Sequence, residues 1–242
     1  ALHSPKARGF TESLGFLGGA SLYGELNDPE LVIANYSSSF DISIRELLSF
    51  SISFNNEPHF APKEYMTDYL SHEAVKVINI KEHDPNPFFM MVAYNAVHNP
   101  MQCTLSDYNS PEIAMIPNHK DRVHAAMVKS LDRGVGEILA ALKATDQLDN
   151  TMVIFSSDNG GAAGFTDNVN KPYRGWKATF FEGGLRVPLY IQWPNMIATT
   201  GTQLDARVGH IDLYHTIAGA VHLSMSKTTT TTTTTVDERL KM

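Results

Sequence analysis

Apolar positions along this chain change period several times, and the changes outline its elements. Residues 1–62 carry Gly, Ser, Asn and Pro without a sustained period, which predicts mainly loop with short elements such as Ile42 to Phe54. From Thr67, TDYLSHEAVKVINI sets Leu70, Ala74, Val77 and Ile78 at helical spacing behind a Thr or Asp cap, and the breakers in HDPNP end it. FFMMVAY, Phe88 to Tyr94, is short, continuously apolar and bounded by Pro87 and Asn95, the pattern of a buried strand. A loop with Pro100 and Pro111 follows. Asp121 to Lys143 then aligns Val123, Met127, Leu131, Val135, Ile138 and Leu142 in one stripe, the strongest helical pattern in the chain.

After Asp149-Asn150 come a strand over Thr151 to Ser156, a Gly- and Asn-rich loop over Gly160 to Asn170, and a third apolar run, VPLYIQW, over Val187 to Trp193. His210 to Leu223 is expected to be helical. Strands alternating with helices and loops imply an α/β fold with parallel strands flanked by helices. Residues 1–226 read as one domain. Residues 227–242, with threonines from Thr228 to Thr235, read as a linker or unassigned tail.

Composition narrows the function classes. Nineteen basic against 26 acidic residues, a formal charge of −7, argue against a groove that works by neutralising phosphates, so no nucleic-acid partner is expected. No apolar run approaches the roughly 20 residues that span a bilayer. A single cysteine, Cys103, excludes an internal disulfide framework. Asn35-Tyr36-Ser37 is a glycosylation acceptor triplet, relevant to a secreted chain.

Chemistry concentrates where the apolar runs end. Ser157, Asp158, Asn159 and two glycines follow the Thr151 strand, and in open α/β sheets ligands gather past the carboxyl ends of strands. A carboxylate beside an amide oxygen suits a hard cation such as Ca²⁺ or Mg²⁺ better than zinc. The same residues also make an ordinary strand-ending turn. His98 follows the Phe88 strand and could protonate a leaving group, or serve as a structural hydrogen bonder. Lys177, in Arg174-Gly175-Trp176-Lys177, could hold an anionic ester, or be a solvated lysine.

Together TDYLSHEA, NPFFMMVAYNAVHNPMQ, LDRGVGEILAALK, NTMVIFSSDNGG, YRGWKATFFEGGLRVPLYIQWP and GHIDLYHTIAGA, in that order, resemble the sulfatase family of the alkaline-phosphatase-like fold, nearest to the arylsulfatase group that includes N-acetylgalactosamine sulfatases. PKARGFTESLGFLGG is similar to the family segment that follows its first active-site elements. The resemblance implies a mixed, mainly parallel sheet, incomplete at its N-terminal side, and hydrolysis of sulfate monoesters of a carbohydrate or aryl alcohol. It implies calcium, with magnesium the lesser choice, held by two early aspartates and a later Asp-Asn pair, here Asp158 and Asn159. It assigns His98 to the leaving oxygen and sulfate, and Lys177 to sulfate. It also implies a secreted or lysosomal location.

The family nucleophile is a formylglycine made within Cys/Ser-x-Pro-x-Arg, and its site is absent here. Cys103-Thr-Leu-Ser-Asp lacks the Pro and Arg, and Ser4-Pro5-Lys6-Ala7-Arg8 has its Pro one position early. The early aspartates are absent too. The resemblance therefore covers the later part of a catalytic domain, and the N-terminal remainder of the same protein, or another chain, is the partner expected to cover open sheet edges. Two other readings stand beside it: a sulfatase-like protein without catalysis serving a matrix or large assembly, and a related metal-dependent phosphodiesterase or phosphatase. Arg174 and Arg186 read as structural, Asp212 and His215 as cap and packing. His72, His119, His124, His210 and His222 have no ligand spacing.

Overall fold

The computed structural model describes residues 3–16, 18–34, 48–164, 166, 169–197 and 201–221. The Asn35 triplet, the first part of Ile42 to Phe54, His222 and the threonine run lie outside them. In chain order the elements are β1 (Leu14–Gly15), β2 (Leu31–Ala34), β3 (Ser53–Phe54), α1 (Met66–Ile80), β4 (Met101–Thr104), α2 (Leu105–Tyr108), α3 (Pro111–Ala114), α4 (His119–Ala144), β5 (Val153–Ser156), α5 (Glu182–Leu185), β6 (Leu189–Gln192) and α6 (His210–Ala220).

The two periodic segments form the helices expected of them. The Asn118 side chain accepts from Asp121 N at 3.1 Å, so α4 starts at His119, two residues before the expected start at Asp121. Val123, Met127 and Leu142 of the stripe are buried, together with Ala126, Ser130, Gly134 and Ala141. α1 begins at Met66 without a side-chain cap, and the expected cap Thr67 is buried in its first turn. The helices cross closely at Gly134, where an added Cβ would stand 2.1 Å from Ser71 Oγ.

One arginine between two acids locks the crossing. Arg133 donates to both oxygens of Asp107, at 2.7 and 3.0 Å, and to Asp68 Oδ1 at 2.8 Å, which also accepts from Ser130 Oγ at 3.1 Å. α1, α2 and α4 are thereby tied by paired and hydrogen-bonded charge.

The strands depart from expectation in three ways. Phe88 to Tyr94 is extended and pairs with no strand among the described residues. Its side chains alternate, with Phe88, Met90, Val92 and Tyr94 half-buried and Phe89, Met91 and Ala93 exposed. Phe88 and Met90 pack against Ile78, Ala141 and Leu142, and Tyr94 Oη meets Ser71 Oγ at 2.8 Å. One face of this segment is covered by helices, and Phe89 and Met91, 61% and 70% exposed, face away from that cover.

Second, Met101–Thr104, expected as loop, is a buried strand antiparallel to β2, with Cys103 opposite Val32. Gln102 is fully buried: its Oε1 accepts from Tyr23 N at 2.8 Å, while its Nε2 has no hydrogen-bond partner among the described residues. Third, β6 is neither buried nor parallel. It runs antiparallel to β5, Ile154 opposite Ile191, with Tyr190 66% exposed. A parallel return needs a crossover of a dozen or more residues, usually helical, and among the described residues between β5 and β6 the one helix is the four-residue α5. All three ladders among the described residues are antiparallel. No helix of the described residues is long and apolar enough to cross a membrane.

Candidate active site

Three chain segments converge, and each is held by its own backbone. The first is the bend that follows Tyr94. His98 N donates to Asn95 O at 2.8 Å, and the Ala96-Val97 and Asn99-Pro100 peptides on either side of it are cis. Tyr23, fully buried, reaches both Asn95 O (2.7 Å) and His98 O (2.9 Å) with its hydroxyl. Burial, with help from the stacked Tyr65, pushes the Tyr23 phenol well above its ordinary range, so it stays a donor. Asn95 Nδ2 donates to Ser21 O at 3.0 Å.

The second segment runs from Tyr173 to Leu185. Gly175 (φ +90°) takes a left-handed conformation, and a Cβ there would lie 2.5 Å from Phe181 Cβ. Thr179 closes the turn by donating from Oγ1 to Trp176 O at 2.7 Å and accepting from Trp176 N at 3.1 Å. Lys177 N donates to Gly161 O at 3.0 Å, which fastens this loop to the third segment.

That third segment is Ser157 to Gly161, past the end of β5. Asn159 Nδ2 donates to Gly160 O at 3.0 Å, and its Oδ1 accepts no hydrogen bond among the described residues. Asp158 is exposed and has no hydrogen bond or ion pair among the described residues. Gly160 is required by close approach: a Cβ would stand 1.8 Å from Gly183 O, a backbone atom that cannot step aside. Gly160→Ala is therefore expected to cost about 1–3 kcal/mol through forced backbone shifts, seen as a lowered calorimetric melting temperature.

His98 and Lys177, 79 positions apart in sequence, meet side chain to side chain: Lys177 Nζ lies 3.1 Å from His98 Nε2. The proton positions follow from the partners. His98 Nδ1 is 2.8 Å from Asn99 O, a carbonyl that can only accept, so Nδ1 carries the hydrogen. Nε2 is then the lone-pair end and accepts from the ammonium of Lys177. Both side chains are half-buried, so they meet at the surface without being lost to the core. An ammonium and an imidazole within one hydrogen bond of each other make a seat for an anion with a proton-carrying group at its edge.

Asp158 and Asn159 reach this pair through one hydrogen bond, Gly161 O to Lys177 N. Their donor set suits a hard divalent cation: one carboxylate without a partner and one amide oxygen oriented by its own NH₂. Calcium takes six to eight oxygens, so these two residues fit as part of a site. Among the described residues no cluster of three or more His, Cys, Asp or Glu could hold a metal alone.

Of the residues read as structural, Arg174 meets an aromatic ring where a carboxylate partner was expected, and His215, expected to pack, is exposed. Burial pushes the Cys103 thiol up to about 12, and Ser4 is 2% exposed, so neither resembles a presented nucleophile. Arg186 lies 3.7 Å from Glu182, whereas Arg174 sits 4.0 Å over the Phe181 ring. Asp212 caps α6 by accepting from Gly209 N at 2.8 Å. Two contributors carry no sequence signal. Tyr23 lies in the aperiodic region, and His210 donates from Nε2 to Ser157 O at 3.0 Å only because α6 returns to the end of β5.

A family profile described as Sulfatase matches residues 3–223. A sulfatase of Formosa agariphila is 34% identical over 196 residues, covering 76% of this chain and 35% of that protein. Arylsulfatase J of Mus musculus is 38% identical over 139 residues, 56% of this chain and 22% of its own. Among solved structures, Ps i-CgsB in complex with k-i-k-neocarrahexaose superposes with a TM-score of 0.77 at 34% identity, over 93% of this chain and 49% of that one. The chain thus spans about a third of the length of the first of these relatives, at 35%, and about half of the solved one, at 49%.

Proposed function

The chain belongs to the sulfatase family and shares its alkaline-phosphatase-like α/β fold, and from that premise we propose that the full-length protein hydrolyses sulfate monoesters at the His98–Lys177 pair. The 3.1 Å contact between these two side chains is the observation that carries the reading. A sulfate group seated there replaces the imidazole as acceptor of the Lys177 hydrogen bonds, and its negative charge is stabilised by the ammonium. Nε2, freed of Lys177 and loaded with a proton from solvent, is the atom that serves the departing oxygen. As an oxygen nucleophile from elsewhere in the full-length protein forms its bond to sulfur, the S–O bond to the alcohol breaks, the alcohol oxygen takes the Nε2 proton, and neutral His98 is left with its Nδ1 hydrogen still on Asn99 O.

Asp158 and Asn159 would hold one side of a divalent cation, calcium before magnesium, which when bound draws charge off the oxygens of the transferring sulfuryl group. Formylglycine supplies the nucleophile in this family, from a part of the protein outside these 242 residues. That further part, or another chain, would also cover the outward side of Phe88 to Tyr94. Between carbohydrate and aryl esters, the oligosaccharide in the Ps i-CgsB complex favours carbohydrate. A secreted or lysosomal location accompanies this reading.

The test is release of inorganic sulfate from sulfated oligosaccharides and an aryl sulfate, against release of phosphate from the matching phosphate ester, by the full-length protein. Sulfate release with little phosphate release is expected. Preferential phosphate release would move the protein to the phosphatase side of the superfamily, and neither activity would leave a binding or structural protein.

A further inference from the structure

The entry to the Asp158-Asn159 loop is held from outside by one side chain of a distant helix. Ser157 O accepts two hydrogen bonds, from Ser156 Oγ at 3.1 Å and from His210 Nε2 at 3.0 Å. Because that partner is a carbonyl, Nε2 of His210 carries its hydrogen. A peptide unit is planar, so fixing the Ser157 carbonyl fixes the plane that ends in the Cα of Asp158. Ser157 Oγ donates onward to Asn159 O at 2.9 Å and continues the hold through the loop. The exit is held separately, by Gly160 N on Gly184 O at 3.1 Å and Gly161 N on Asn170 Oδ1 at 2.8 Å.

His210 is well placed to act as a fixed point. It is the first residue of α6, whose first turn is closed by Asp212 on Gly209 N. Among the described residues its bond to Ser157 is the one hydrogen bond that α6 makes outside its own turn and cap. α6 is otherwise largely exposed, with Ile211 at 85% and Tyr214 at 67%. A contact that contributed only packing would not be made by a lone exposed imidazole aimed at the carbonyl preceding the cation residues.

We propose that His210 is a positioning residue for the cation site, holding the Ser157 carbonyl so that the Asp158 carboxylate and the Asn159 amide oxygen stand ready together. The inference rests on the reading of Asp158 and Asn159 as cation ligands. It adds a residue that touches neither the cation nor the ester. Residues that orient metal ligands typically change metal affinity by about 10–100-fold when removed.

The experiment is calorimetric titration of the full-length protein with calcium alone, comparing the parent with His210→Ala, His210→Gln and Asp158→Ala. Calcium-free melting temperatures check that each variant is folded. His210→Ala is expected to weaken calcium about 10-fold or more with its calcium-free melting unchanged, as the loss of an orienting partner does. His210→Gln, whose amide can donate to the same carbonyl, is expected to stay near the parent, and Asp158→Ala to lose binding. Parent-like affinity in His210→Ala, with binding lost in Asp158→Ala, would overturn the His210 proposal and leave the cation reading intact. Equal weakening in His210→Gln would overturn it too, because donation would not be the cause. A parent that takes up no calcium would bring down the cation reading, and this proposal with it.

Discussion

In the full-length protein His98→Ala is expected to lower kcat for an aryl sulfate by about 10²–10⁴-fold, the range lost with a positioned proton donor. Lys177→Ala is expected to cost about 10²–10³-fold, comparable to removing one donor from an anion-stabilising site. The asymmetry has a structural origin. Lys177 contributes charge to a seat where His98 remains, while His98 alone presents a nitrogen whose protonation the geometry controls through Asn99 O. Since the two side chains touch, their effects should fall short of additive in the double variant. His98→Gln keeps a group able to accept from Lys177 but cannot relay a proton, so it should resemble His98→Ala in kcat. Neither change disturbs the backbone bond from Lys177 N to Gly161 O, so folded protein is expected throughout. Steady-state kinetics on one aryl sulfate read all four proteins. Variants at His98 within threefold of the parent would remove it from the chemistry.

The largest expected effect on stability is at Arg133. Arg133→Met keeps most of the side-chain volume and removes the charge that Asp68 and Asp107 share. Breaking a buried ion pair from one side costs about 3–5 kcal/mol, and Arg133 is 35% exposed, which puts the expectation at the low end, about 3 kcal/mol. Asp107 sets the pH dependence. Burial raises its pKa, but hydrogen bonds from Arg133 and Thr104, with the charges of Arg133 and Lys129, outweigh burial and hold it below the ordinary carboxylate range. A carboxyl depressed in the fold contributes stability that is present above the unfolded pKa of about 3.9 and is lost as pH falls through the lower folded value. Without Arg133, what is left opposing burial is the Thr104 hydrogen bond and the Lys129 charge, so the depression of the Asp107 pKa shrinks and with it the stability that carboxylate contributes above about pH 4. The deficit of Arg133→Met should therefore be largest near pH 7 and shrink on acidification below about pH 4. Urea unfolding of both proteins at several pH values measures it. A deficit that grows on acidification would contradict the assignment.

What the sequence revealed of this fold follows from what each signal depends on. The helices α1 and α4 were legible because 3.6-residue spacing is local, and their buried residues fall close to the predicted stripe. Phe88 to Tyr94 was recognisable as extended chain, but its continuous apolar character concealed that only one face is covered. Met101–Thr104 escapes sequence reading because Gln102 and Thr104 look like loop residues, and nothing local shows that Tyr23 N meets the glutamine Oε1 inside. β6 was read as parallel because the alternation of elements suggested it, and the short α5 is what that reading overlooked.

For the candidate site, Asp158 and Asn159 past a strand, His98 after an apolar run and Lys177 in a Gly-containing segment stand out in the sequence, each beside an ordinary structural reading, and the resemblance assigns their roles. Nothing local says that residues 98 and 177 share a hydrogen bond. Tyr23 and His210 were out of reach of sequence reasoning for the same reason. Each acts on a backbone carbonyl more than 50 positions away, and a carbonyl leaves no trace in residue type.

The central claim is that these residues are one side of a sulfatase active site whose nucleophile lies elsewhere in the same protein. Peptide mapping by mass spectrometry of the full-length protein from its native source tests it most directly. A formylglycine within a Cys/Ser-x-Pro-x-Arg stretch outside these 242 residues, in protein that releases sulfate, is the predicted result. A mature protein made of these residues alone, without an aldehyde and without sulfate release, would contradict it.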